Sequence, residues 1–184
     1  MQWINDKRSY GWLSIGLHWL AAIGIALLLV TGFRADFAGE AGDREARALL
    51  MGWHISLGAT FALVFLARVA SSYAQPRPTP PEQAPILKFL SSATHQLLLI
   101  AILIQVISGP LAIWSGGRAI NVFDVLSIPS PFAARNEGVH EFAELMHAIG
   151  RWAIVGLLSL HILGALKHVM MDENGEFRML TPKS

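Results

Sequence analysis

Histidine is the side chain on which any chemistry here must rest. The chain holds seven histidines and no cysteine. The missing thiols exclude disulfides, thiolate-held iron–sulfur clusters and thioether-attached haem, and they leave imidazole as the main strong metal ligand. Two of the histidines, His147 and His161, lie fourteen residues apart in one apolar run, "MHAIGRWAIVGLLSLH". In a helix rising ~1.5 Å per residue they stand roughly 21 Å apart, and nearly four whole turns return them to almost the same face. One helix then presents two imidazoles in one direction, one near each surface of a membrane. A zinc or copper site would gather three or four ligands at one depth. A haem iron held between two helices needs only one histidine from each.

The elements that must position these groups are membrane helices. Residues are 53% hydrophobic and 15% charged, with a mean hydropathy of +0.47, where a soluble domain carries nearer a quarter charged residues. The net charge of +1 points to no partner, nucleic acid included. Four apolar stretches are long enough to span a bilayer, which takes roughly 20 residues. They fall at about 13–32, 49–71, 89–114 and 142–169. The expected fold is all-α: a single integral membrane four-helix bundle over 1–184, with two haems between the helices. "QPRPTPPEQAP" between the second and third spans holds five of the nine prolines and must be a loop. Pro110, inside the third span, is expected to kink it. Glu137, Glu141 and Glu144 mark the solvated entrance of the fourth. No internal repeat is evident. A secretory signal is rejected for the first span, which is too long and lacks a small-residue cleavage site.

Basic residues set the expected direction. With the N-terminus inside, the inner segments carry Lys7, Arg8, Arg68, Arg77, Lys88, Lys167, Arg178 and Lys183. The outer ones carry Arg34, Arg44, Arg47, Arg118, Arg135 and Arg151. All four lysines fall inside, and both termini are expected in the cytoplasm.

Depth then sorts the histidines. His18, in "GLHWLAAIGIALLLVTGF", and His161 lie in an inner layer; His54 and His147 lie in an outer one. His95 and His168 sit at the inner end, and His140 in the outer loop or first turn of the fourth span. A porphyrin edge against a helix needs small residues about one turn from its ligand, at i+3 or i+4. His18 is followed by Ala21 and Ala22, His54 by Gly58, His147 by Gly150 and His161 by Gly164. His95 is followed by Leu98 and Leu99, and His168 by Met171 and Asp172. Any one of these histidines alone is as well explained as a helix-end residue. Four in matched layers are explained by two haems, with His18 paired to His161 and His54 to His147. Arg151, one turn beyond His147, and Arg68, fourteen residues beyond His54, have two readings: bonding haem propionates or snorkelling to headgroups. Trp12, Trp53 and Trp114 fit an aromatic belt.

The pattern resembles the bacterial cytochrome b561 family over nearly the whole chain. The likeness rests on "LSIGLHWL", "WHISLG", "THQLLLIAILIQVISGPLA" and "MHAIGRWAIVGLLSLHILGALKHVMMDENGEFRMLTP". It implies axial haem ligation by His18, His54, His147 and His161, and transmembrane electron transfer involving the quinone pool. It implies, as the leading activity, oxidation of superoxide at the periplasmic face with ubiquinone as acceptor. A relay serving a periplasmic dehydrogenase is the alternative, and a histidine-based proton or metal-ion conductor is an alternative of another class. Superoxide should be steered by a positive entrance, yet the outer segments hold six basic and eight acidic residues. A funnel therefore requires Arg34, Arg118, Arg135 and Arg151 to cluster. His95, His168 and Lys167, left over at the inner end, are expected to line a pocket for the ubiquinone head, since imidazole can supply both hydrogen-bond donors for the carbonyl oxygens and a route for protons. Helix–helix hydrogen bonding is the plainer role for His95, and an interfacial position the plainer one for His168.

Overall fold

A computed structural model describes residues 2–80, 83–171 and 179–180, with the side chains of His168 and Met171 outside the described set. Four helices carry the chain: α1 Trp12–Glu40, α2 Arg44–Ala74, α3 Pro85–Ser115 and α4 Glu137–Met171. A short antiparallel hairpin, β1 Ile120–Val122 and β2 Leu126–Ile128, sits between α3 and α4. Each helix contains a window with mean hydropathy between 1.6 and 2.3, yet only 11–22% of each window is buried within the protein. Apolar surface facing outward on this scale requires lipid around it, and a helix satisfies its own backbone there. This is a four-helix membrane-spanning bundle.

The helices outrun the apolar spans. α1 continues through "RADFAGE" to Glu40 rather than ending near Gly32, because Ala, Arg and Glu favour a helix in water as well. A tight turn follows, with Gly42 at φ +76° and the Asp43 side chain accepting the Ala46 N–H at 3.0 Å. At the start of α1, Trp12 and Leu13 donate to the carbonyls of Gln2 and Trp3 (3.0 and 3.2 Å), which stand in for a side-chain cap. α3 runs through Pro110 without interruption.

Packing divides the bundle into two hairpins. α1 packs along α2 and α3 along α4, while the two pairs meet chiefly where α2 passes α3. Between the histidine layers lies the core, with Ala21, Phe65, Val69, Leu99 and Ile102 buried together against Phe61 and Leu28. A Cβ at Gly24 would stand 2.6 Å from a Phe61 ring carbon, so that helix crossing needs glycine. In lipid this packing rests on close van der Waals contact rather than on expelled water.

The β-hairpin was not foreseen. Ser56 of α2 anchors it, accepting from the Phe123 N–H (2.9 Å) and donating to the Asn121 carbonyl (3.3 Å). Trp12 and Trp53, 40% and 50% exposed, suit the belt reading. Trp114 does not: its indole nitrogen is buried inside the protein, without a hydrogen-bond partner.

Candidate haem-binding site

Two layers of imidazoles occupy the gap between the hairpins. At the end bearing the α1–α2 turn (the hairpin layer), the rings of His54 on α2 and His147 on α4 have centres 6.1 Å apart. At the end bearing the N-terminal segment (the terminal layer), His18 on α1 and His161 on α4 also stand 6.1 Å apart. Two imidazole nitrogens each about 2 Å from a shared first-row metal put the ring centres roughly 6 Å apart. Both pairs match that spacing. Among the described residues no group of three or more metal-ligating side chains gathers at one place. The hairpin layer presents a pair, as a planar chelate carrying its own four nitrogens requires, while the terminal layer holds a third imidazole beside its pair.

The hairpin layer is tightly held. His54 Nδ1 donates to the Leu28 carbonyl at 3.0 Å and lies 3.2 Å from Thr31 Oγ1. A carbonyl can only accept, so Nδ1 carries the proton and Nε2 keeps the lone pair a metal needs. His147 Nδ1 lies 3.2 Å from Ser108 Oγ. Arg151 reaches across to α1, where it pairs with Asp36 and stacks over Phe33 at 5.1 Å, while Trp152 of its own helix lies 5.7 Å away. Neither sequence reading of Arg151 anticipated that carboxylate. Its Nε is buried and has no hydrogen-bond partner among the described residues, a donor an additional carboxylate would satisfy.

The terminal layer is looser. His95 on α3 brings its ring centre within 5.1 Å of His161, closer than His18. Its Nδ1 donates to the Ser91 carbonyl at 2.7 Å, which leaves Nε2 as an acceptor. Arg68 bonds Ser72 Oγ at 2.9 Å. Lys167 lies near the end of α4, and the side chain of His168 falls outside the described residues. At the opposite end, Arg135 pairs with Glu137 at 2.6 Å as Arg151 does with Asp36. Two of the four arginines of the expected positive funnel are thus matched to carboxylates. His140, placed in the first turn of α4, is buried and donates from Nδ1 to the Ala112 carbonyl (2.8 Å), tying α4 to the end of α3.

Sequence reasoning missed Asp36, Thr31 and Ser108. An available signal for the last two was the hydroxyl–glycine dipeptide that each begins, "TG" at 31–32 and "SG" at 108–109.

A membrane bundle with paired imidazoles at two depths has the site of a b-type cytochrome. Residues 9–182 match the prokaryotic cytochrome b561 family, and the chain belongs to that family, whose members carry electrons across membranes and bind b-type haem. It is 27% identical to cytochrome b561 homolog 2 of Escherichia coli (strain K12), over 100% of this chain and 97% of that protein.

Proposed function

We propose that this cytochrome moves single electrons through two b-type haems between a periplasmic donor, superoxide first among them, and ubiquinone. His54 and His147 would hold one haem, and His18 and His161 the other. The observation that carries the reading is the pair of equal 6.1 Å imidazole separations at the two ends of one bundle. Haem bound there would supply reversible one-electron chemistry, with potentials set by axial ligation, burial and charge. Each superoxide would give up one electron to become dioxygen, and ubiquinone would take up two electrons and two protons to become ubiquinol. The termini would lie in the cytoplasm of the inner membrane and the α3–α4 segment in the periplasm, as the four inner lysines favour.

Around the terminal layer, His95, His168 and Lys167 would receive the quinone head. With its Nδ1 proton committed to Ser91, His95 accepts a hydrogen bond or a proton at Nε2, and donates from that atom only once protonated. That makes it a proton carrier for the quinone rather than a fixed donor. Arg68 and Arg151 would bond haem propionates, which the orphaned Arg151 Nε supports.

The relay reading keeps a specific support, since carboxylates neutralise Arg135 and Arg151 where superoxide would approach. Stopped-flow mixing of the oxidised protein with superoxide separates the two. Fast haem reduction that saturates with superoxide establishes the oxidase, and no reduction leaves the relay. A purified protein with no haem absorbance would leave only the conductor. An alkaline-phosphatase fusion at Ser184 tests orientation: activity there would invert the assignment.

A further inference from the structure

The two hairpins repeat one arrangement around their histidines. Fourteen residues separate His18 from Gly32 on α1, and fourteen separate His95 from Gly109 on α3. A hydroxyl residue precedes each glycine. Thr31 Oγ1 stands 3.2 Å from Nδ1 of His54 on α2, and Ser108 Oγ stands 3.2 Å from Nδ1 of His147 on α4. A Cβ built at Gly32 would lie 3.2 Å from Cε1 and 3.3 Å from Nδ1 of His54. One built at Gly109 would lie 3.3 Å and 3.5 Å from the same atoms of His147. Both rings thus lie with one edge against a neighbouring helix at a residue that has no side chain. The Thr31 hydroxyl proton is already directed to the Leu27 carbonyl at 2.8 Å, so its lone pair meets the His54 Nδ1–H.

We propose that Thr31–Gly32 and Ser108–Gly109 are a matched pair of positioning elements for the hairpin-layer metal ligands, each hydroxyl accepting from the Nδ1–H of a ring whose edge the glycine seats so that Nε2 is offered to iron. The inference rests on the reading of His54 and His147 as axial ligands. An acceptor on the distal N–H raises the basicity of a ligating imidazole and so favours ferric iron, lowering the potential. The pair is matched but not equal. His54 Nδ1 has the Leu28 carbonyl as well, whereas Ser108 is the hydrogen-bond partner of His147 Nδ1 among the described residues.

Redox titration and electron paramagnetic resonance of the purified holoprotein test it. In Thr31→Val and Ser108→Ala both haems should remain. The hairpin-layer midpoint should move positive, more in Ser108→Ala, while the other midpoint stays in place. Thr31→Ser and Ser108→Thr should restore the wild-type value. Gly32→Ala and Gly109→Ala should alter the resonance of the hairpin-layer haem, because a new methyl would push the ring edge by a few tenths of an ångström. Unmoved midpoints in both hydroxyl variants, or equal shifts at both haems, would overturn the role of the hydroxyls. Two haems with unchanged resonance in both alanine variants would overturn that of the glycines. If His54→Ala and His147→Ala kept both haems, the axial reading would fail first, and that outcome is distinct from either.

Discussion

The hairpin layer and the terminal layer offer the same 6.1 Å pair of imidazoles in different surroundings. In the first, both ligands come from corresponding helices, α2 and α4, and each is tied at Nδ1 by the helix that precedes it. In the second, His18 and His161 come from α1 and α4, and neither ring is hydrogen-bonded among the described residues. A third imidazole, His95, and the Arg68 guanidinium crowd the same level. In the repeat these two stand where His18 and His161 stand in the other hairpin, since Arg68 follows His54 by the same fourteen residues that separate His147 from His161. The comparison teaches that one end is built for fixity. The other end retains polar groups that binding two ligands does not use, as expected where protons and a second molecule must be handled.

The largest effect that could break this contrast is loss of a haem. His54→Ala or His147→Ala should abolish the hairpin-layer haem alone, and His18→Ala or His161→Ala the terminal one, each halving the pyridine haemochrome yield. Loss of either haem in His95→Ala would redraw the terminal pair. Provided both haems stay, His95→Ala should slow reoxidation by ubiquinone on the order of a hundredfold, the usual scale for losing a positioned proton carrier. The hairpin-layer variants should leave reoxidation chemistry at the quinone untouched once electrons arrive. Unchanged reoxidation would remove His95 from the pocket.

Smaller is the effect of Asp36→Asn, which strands Arg151 beside the hairpin layer. With the two side chains 26% and 40% exposed, the cost should be about 1–3 kcal/mol, read as a lower thermal midpoint in detergent. Asp36→Asn with Arg151→Leu should recover part of it. Least is the effect of Asp6, at the terminal end. It accepts the Arg8 and Ser9 N–H groups at 2.7 Å each, which hold its carboxyl below the usual carboxylate range. Stability from a lowered carboxyl is present above the ordinary value and lost as pH falls through the lowered one. Asp6→Asn should therefore differ from wild type at neutral pH and converge with it in strong acid.

Hydropathy made the four spans legible, because an apolar run long enough to cross a bilayer rarely serves any different purpose. Their ends were not legible. The extensions of α1 and α2 towards each other lie in water, where hydrogen bonding and propensity decide. The β-hairpin hid because Phe123 and Asp124 take positive φ at its turn (49° and 56°) without the Asn-Gly type of sequence that announces such a turn. The histidine pairs could be read from depth and spacing, since fourteen residues on a helix is a geometric statement. The repeat could not be, because so few positions preserve it. His18, Thr31 and Gly32 answer to His95, Ser108 and Gly109, while the residues between share little beyond an apolar character. The Asp36–Arg151 pair joins residues 115 positions apart, beyond any local signal.

The bonds from Thr31 to His54 and from Ser108 to His147 each stay within one hairpin. During biosynthesis α1 and α2 leave the ribosome well before α4. A lone imidazole entering lipid with an unmet N–H is costly, but here the first pair of helices already supplies the partners of His54, and the second pair supplies that of His147. Each half can thus enter the bilayer with its hairpin-layer ligand already satisfied. The terminal-layer rings and the Asp36–Arg151 pair are completed when the halves meet.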